Sequence, residues 1–376
     1  MRSFSILLHA LCPTIIISSA HAAQQKRQES PGLLINPPGF FPLPTPHAPR
    51  PEPLISSQPQ SEQFTLNLSN IQGDILISPS AVNIAFSNSG LELLLGVTNL
   101  TASGDPFAAG QASDAFNLGD PSPIQNNWIP GFVDTAALHG VFLIGAQNTS
   151  LANDVLDQII SYLNDSIVEI YSLQASARPG DKEGHEHFGY LDGISQPGIS
   201  GFTTNPVNGQ VVIPPGIILL GEEGDPVVRP EWAQDGSFLV FRQMQQLVPE
   251  FDTFLTNNAL MIPEITTLEE GRDLLGARMM GRANRAFPLS DNLTLAADPN
   301  LNNDFNYTLT DDNSLCPFAS HIRKSYPRSD LDETTVDNLH RIMRASTPYG
   351  PEVTAEETAS NTTTFDRGLA FGDLWL

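Results

Sequence analysis

The residues with the most chemistry to offer lie in one run, Glu186-His187-Phe188-Gly189-Tyr190-Leu191-Asp192-Gly193-Ile194-Ser195-Gln196-Pro197. Asp192 stands between Gly189 and Gly193 in a mostly apolar and aromatic stretch. Glycines let the backbone turn tightly or approach a ligand closely. In a low-polarity pocket the Asp192 carboxyl would hold its proton more tightly than in water, which suits proton transfer in acid. A turn with a capping Asp fits the same residues, and the spacing alone leaves both readings open.

Other candidates are weaker. His185-x-His187 has one feature of a zinc site, but such sites need three or four ligands, so a structural role is the simpler reading. His321 lies in Cys316-Pro317-Phe318-Ala319-Ser320-His321-Ile322-Arg323-Lys324, a short apolar run that turns basic. It reads as a core histidine or as an axial metal ligand, with Arg323 and Lys324 near acidic groups. Arg344 reads as a strand-end arginine paired with a surface acid. Neither Gly-x-Ser-x-Gly nor a Walker A loop occurs, which argues against a nucleophile elbow or a P-loop. Gly198-Ile199-Ser200-Gly201 lacks the frame of either. A glycosidase needs two carboxylates at a set separation, and 42 acidic residues leave such a pair open.

These residues must be held by helices and strands, and the pattern predicts both. Val82–Phe86, Gly140–Ile144 and Phe238–Leu247 read as strands. Apolar residues at 155, 159, 162, 163 and 167 predict an amphipathic helix over 151–172. Thr267–Met280 reads as a second helix, with Thr267 as N-cap and Glu269 and Glu270 in its first turn. Cys316–Arg323, Leu339–Ala345 and Leu369–Leu374 read as short strands. Helices and strands mix without regular βαβ alternation, which indicates α+β with antiparallel sheets.

Composition sets the compartment. Of 376 residues, 40% are hydrophobic, enough for a core. The net charge of −24 disfavours nucleic acid and anionic membranes as partners. Arg2, the apolar run Phe4–Ile17 and Ala20-His21-Ala22 read as a secretory leader over 1–22; no membrane span is expected. Lys26-Arg27 fits a dibasic processing site or a chance pair. Residues 23–63 contain a Pro-rich propeptide or linker. Beyond the leader, Cys316 is the one cysteine, so no internal disulfide forms. Sequons at Asn67, Asn99, Asn148, Asn164, Asn292, Asn306 and Asn361 point to a secreted glycoprotein.

Three segments in order resemble the dye-decolorising peroxidase family in its fungal secreted branch: Gly189-Tyr190-Leu191-Asp192-Gly193, Cys316–Lys324, and Arg341-Ile342-Met343-Arg344 before Pro348-Tyr349-Gly350. Asn70–Leu76, Val82–Gly90 and Arg367–Phe371 are similar too, so the likeness covers most of 64–371. It implies two ferredoxin-like α+β domains with antiparallel sheets, at 64–200 and 201–376, and haem b held mainly by the second. It makes His321 the proximal iron ligand, a role that suits a buried imidazole. It sets Gly193, Ile194, Ser195, Arg323, Leu369 and Phe371 around the haem. Asp192 becomes the distal proton carrier and Arg344 the group that stabilises charge as the O–O bond breaks. The partners implied are hydrogen peroxide and an aromatic reducing substrate, such as a dye or a phenol. Core packing is the other reading of Leu369 and Phe371; Tyr190 and Trp232 read as core aromatics, with electron transfer as the alternative.

The chain departs from that family in places. Only Ser78-Pro79-Ser80-Ala81 follows Ile77 where the family has a strand and a helix, so the first domain is expected to lack them. The end at Leu376 is expected to omit a final helix and an acid that orients the proximal histidine. Gly281-Arg282-Ala283-Asn284-Arg285 replaces a basic-aromatic run. Two other classes stay in view: a non-catalytic or haem-poor truncated secreted glycoprotein, and an acid hydrolase using Asp192 with a second acid.

Overall fold

Alternating and β-branched runs form the first sheet of the computed structural model, which describes residues 3–11, 80–101, 105–120, 128–133, 137–263, 265–281, 298, 300–307, 316–331 and 340–375. For 3–11 and 372–375 it describes the backbone alone. The described residues gather into two units. One runs up to Ser176 and takes in Arg229–Ser237; the other comprises Ala177–Val228 and the residues from Phe238 onward.

In the first unit β1 (Ser3–Leu11), β2 (Ser80–Phe86), β3 (Gly140–Ala146) and β4 (Ile167–Ser176) pair antiparallel in the order β2-β3-β1-β4. Helices α1 (Asn88–Leu95) and α2 (Thr149–Leu163) accompany them. Ile84, Phe86, Phe142 and Ile144 form the core with Ala146 and Ala152, and α2 lays Leu151, Val155, Leu156, Ile159 and Leu163 against it. That spacing is one face of a helix.

The helix read over 151–172 is too long. It stops at Leu163, where Asn164 turns to φ 43° and its N–H closes on the Ile160 carbonyl. Ile167, Val168, Ile170 and Tyr171 beyond it prefer a strand, and they form part of β4. Tyr162, read as part of the apolar face, is exposed.

The central position of this sheet has an unexpected occupant. β1 pairs with β3 on one side and β4 on the other, where the sequence suggests a missing strand. It comes from the residues read as the leader, so cleavage behind Ala22 would remove it.

In the second unit β5 (Gly198–Ile199) and β6 (Val212–Ile213) make a short parallel pair. β7 (Phe238–Gln245) precedes α3 (Val248–Asn257) and α4 (Leu268–Met280). Thr267 caps α4 with Glu269 and Glu270 in its first turn, as the sequence predicts, and Glu270 also completes a capping box. Then follow α5 (His321–Ser325), β8 (Met343–Tyr349), α6 (Ala355–Ser360) and β9 (Gly368–Trp375). β9 pairs antiparallel with both β8 and β7.

Two strand readings need correction here. Cys316–Arg323 forms a turn and the start of α5. Ser320 N–H bonds the Pro317 carbonyl, and α5 begins after the extended Ser320. Leu339–Ala345 lies too early: β8 starts at Met343 and continues to Tyr349, while Leu339 lies outside the described residues.

A buried ion pair fixes the approach to β9. Arg367 Nη2 lies 2.5 Å from Glu357 Oε2, with both side chains fully buried. Glu357 also accepts the N–H groups of Thr354, Thr364 and Phe365. The Arg367 bond, aided by those donors, holds the carboxyl well below its usual range.

Candidate active site

Asp192 stands at the open end of a small hairpin. His185 bridges Leu191, and Asp192 N–H donates to the Gly184 carbonyl at 3.0 Å. At the closed end Gly189 takes φ 98°, which favours glycine. His187 fastens that end: its buried ring donates Nε2–H to the Tyr349 carbonyl at 2.8 Å. This is a packing role for one member of the His185-x-His187 pair. Among the described residues no cluster of His, Cys, Asp or Glu is arranged to hold a metal ion.

The hairpin is also anchored to β8 at Asp192. Ser346 Oγ donates to Asp192 Oδ2, and Gly193 N–H donates to Oδ1 at 2.7 Å. In β8 residues two apart share a face, so Arg344 and Ser346 point the same way. β9 adds its own residues to that face, since Phe371 stands opposite Ser346 and Leu369 opposite Pro348. Leu369 is buried and Phe371 half-buried.

Ser195 and Gln196 fix Arg344. Arg344 Nη2 donates to the Ser195 carbonyl at 2.7 Å. Gln196 Nε2 donates to the Arg344 carbonyl at 2.6 Å, and its Oε1 accepts the Arg344 N–H at 3.1 Å. Gln196 thereby bonds the strand backbone as a neighbouring strand would. Ser195 Oγ donates to Asn303 Oδ1 at 2.5 Å, and Ile194, between Gly193 and Ser195 in the chain, is half-buried.

His321 opens α5. The resemblance implies a buried imidazole, whereas His321 is an exposed residue here, although protein crowds it enough that burial pushes its pKa down. The Arg344 charge lowers it further and the Asp192 charge opposes both. Arg344 and Asp192 therefore both lie within electrostatic reach of His321. Gly281 allows the end of α4 to approach α5: at φ 88°, an added Cβ would meet Ser320 Oγ at 3.0 Å and Ile322 Cβ at 3.2 Å. Residues 282–285 of the altered run lie outside the described residues.

Arg323 is occupied elsewhere. Its Nε and Nη2 bond Asp330, its Nη1 bonds the Cys316 carbonyl, and its guanidinium lies between the Tyr307 and Phe318 rings. Buried and so engaged, it braces α5. Tyr190 packs edge-on against Phe251 with centroids 6.4 Å apart. Burial pushes its hydroxyl pKa up, and the Glu186, Asp273 and Asp252 charges add to that. Trp232 lies in a 3-10 turn of the first unit.

Sequence reasoning overlooks Ser346 and the clamping roles of Gln196 and Glu186. Glu186 is buried. Burial pushes its carboxyl pKa up, against the lowering pull of its hydrogen-bond donors, and the Asp192 charge adds to the rise. The glycine-rich motif draws attention to Asp192, but no local signal identifies its partner 154 residues away.

Residues 55–179 match the family model described as the DyP dimeric alpha+beta barrel domain. A structure of an ancestral D-type dye-decolorizing peroxidase superposes with a TM-score of 0.79 at 37% identity, covering 99% of this chain and 77% of that one. The chain belongs to the dye-decolorising peroxidase family. The crystal structure of a family member from Auricularia auricula-judae gives a TM-score of 0.75 at 37% identity, with 100% and 77% covered. The dye-decolorizing peroxidase of Mycena epipterygia is 50% identical over 309 residues, which are 78% of this chain and 57% of that protein. AauDyP1 of Auricularia auricula-judae is 47% identical over 321 residues, 81% of this chain and 60% of that protein. The chain thus spans just under two thirds, at most 60%, of these curated relatives.

Peroxidases of this family depend on haem, and the residues of this chain fit that group. Iron requires an unprotonated imidazole nitrogen. Burial and Arg344 favour the neutral form of His321, and no described hydrogen bond occupies its ring. An acid and a guanidinium lie within electrostatic reach, the side chains that peroxide chemistry uses.

Proposed function

We propose that this protein is a haem peroxidase that reduces hydrogen peroxide and oxidises dyes, phenols or similar aromatic donors. The supporting observation is that Asp192 is bonded to Ser346 while Arg344, two residues earlier on the same strand, is bonded to Ser195, with the charges of both felt at His321. In this reading the group is haem b, which His321 would hold through its iron. Gly193, Ile194 and Ser195 would lie around it, and Leu369 and Phe371 would shape peroxide access. When bound, haem would take up the two oxidising equivalents of peroxide and pass them to the donor one electron at a time.

The protein's own groups then handle proton and charge. Asp192 accepts a proton from peroxide at a carboxylate oxygen and returns it to the departing oxygen. Ser346 and Gly193 hold that carboxylate in one orientation. Arg344 stabilises the negative charge that grows as the O–O bond breaks, and its bond to Ser195 keeps it in place before the reaction begins.

Export also belongs to this proposal. It is supported by the leader-like start and by the exposure of the five described sequon asparagines, Asn99, Asn148, Asn164, Asn306 and Asn361. The test uses purified protein supplied with haem. Peroxide-dependent dye bleaching is expected, and Asp192→Asn should slow peroxide activation about 100-fold or more while keeping the haem absorption band. A colourless protein after haem supplementation would instead favour a haem-poor relative, and unchanged activation would remove Asp192 from the mechanism.

A further inference from the structure

Glu186 is a buried acid with no part in the mechanism above, yet its surroundings are specific. Oε1 accepts the Tyr190 N–H at 2.6 Å. Oε2 accepts the Phe188 N–H at 2.8 Å and the Gln246 side-chain amide. Both oxygens therefore face donors only. An ionised carboxylate satisfies such a set, whereas a neutral acid or an amide would point a hydrogen at a donor. Leaving buried donors unpaired is costly, so these bonds favour the carboxylate against the opposing pull of burial and of the Asp192 charge, which raise its pKa.

Those bonds close the hairpin that ends at Asp192. Glu186 N–H also donates to the Tyr190 carbonyl at 3.0 Å, and Gly189 N–H to the Glu186 carbonyl at 2.9 Å. Gln246 accepts the His187 N–H at 3.2 Å, and its own N–H bonds the Arg367 carbonyl. Arg178 Nη1 bonds the Glu186 carbonyl at 2.5 Å. The turn is thus tied to the residue after β7, and through His187 to the end of β8. Its other arm delivers Asp192 to Ser346 of the same strand.

We propose that Glu186 is the positioning residue for Asp192: its carboxylate gathers the Phe188 and Tyr190 amides so that the hairpin presents Asp192 at a fixed place over β8. This rests on the peroxidase reading, in which Asp192 moves the proton. Glu186 touches neither peroxide nor haem in this scheme and acts only through the hairpin. Proton transfer needs hydrogen-bond reach, and misplacement by about 1 Å can cost roughly 100-fold in rate.

The test is a double-mutant cycle in haem-loaded protein, with Glu186→Gln, Asp192→Asn and the pair. The readouts are the rate of the peroxide-induced spectral change and amide hydrogen exchange at 188–190. Glu186→Gln should keep the haem band, speed exchange at Phe188 and Tyr190, and slow activation about tenfold or more. It should add little on the Asp192→Asn background, because coupled residues are not additive. Faster exchange with unchanged activation, or a full additive loss beside Asp192→Asn, overturns the proposal. If Asp192→Asn itself leaves activation unchanged, Asp192 has no part in the mechanism and the positioning proposal falls with it, whereas a wild-type protein that binds no haem or does not respond to peroxide fails the peroxidase reading. Should Glu186→Gln not fold, Gln246→Met removes one donor to Oε2 together with the acceptor of the His187 N–H, while sparing the Phe188 and Tyr190 bonds; activation slowed on the wild-type background alone supports the proposal, and unchanged activation overturns it.

Discussion

Asp192 is useful because of what holds it. Its two oxygens take bonds from a backbone N–H and a serine hydroxyl, which hold the carboxyl in one orientation. The sequence makes Asp192 visible through its flanking glycines, and Gly193 indeed adopts φ 77°. It does not make Ser346 visible, because that bond depends on strand register and spans 154 positions. Arg344 and His321 are similar. Each is an ordinary residue in its local context, and the family likeness singles them out. Their shared electrostatics then emerge from the fold. Arg323, which the family likeness sets near the haem, spends its guanidinium bonds on Asp330 and Cys316.

At the scale of elements, capping signals are legible and long-range choices are not. Thr267 with Glu270 marks the start of α4. The end of α2 is hidden, because Ile167 continues the helical spacing although its neighbours favour a strand. The run at Cys316 reads as a strand until Arg323 is drawn into its aromatic sandwich. Ion pairs between elements follow the same rule. Glu352, just after β8, binds Arg178 at 2.7 Å and Lys182 at 2.8 Å. The Arg178 bond, with Lys182 adding to it against burial, brings the Glu352 carboxyl down to about 2 from its usual 4.5. A lowered folded-state pKa gives stability that is complete above the unfolded value and disappears as pH falls through the folded one. The contribution is therefore present above 4.5 and lost towards 2. Glu352→Gln should lower the melting temperature at pH 6 and flatten its fall through that window. Melting curves at stepped pH check this, and an unchanged slope would contradict it.

Across the whole molecule, the α+β class and antiparallel pairing were readable from mixed helix and strand patterns. The central strand of the first sheet was not, because β1 lies in residues that also read as a leader. Both uses cannot persist in one exported chain. The export reading predicts that intact-mass measurement of protein from the medium finds an N-terminus behind Ala22. Retention of Ser3–Leu11 in that protein would contradict it. Loss of β1 leaves β3 and β4 with unpaired inner edges, a known route to aggregation.

The central claim is that this chain binds haem through His321. Titration of the purified protein with ferric haem, followed by absorption and set beside His321→Ala, tests it most directly. The account predicts a Soret band that saturates at about one haem per chain and is lost or strongly weakened in the variant. No band in the unaltered protein, or an identical titration for both, would contradict it.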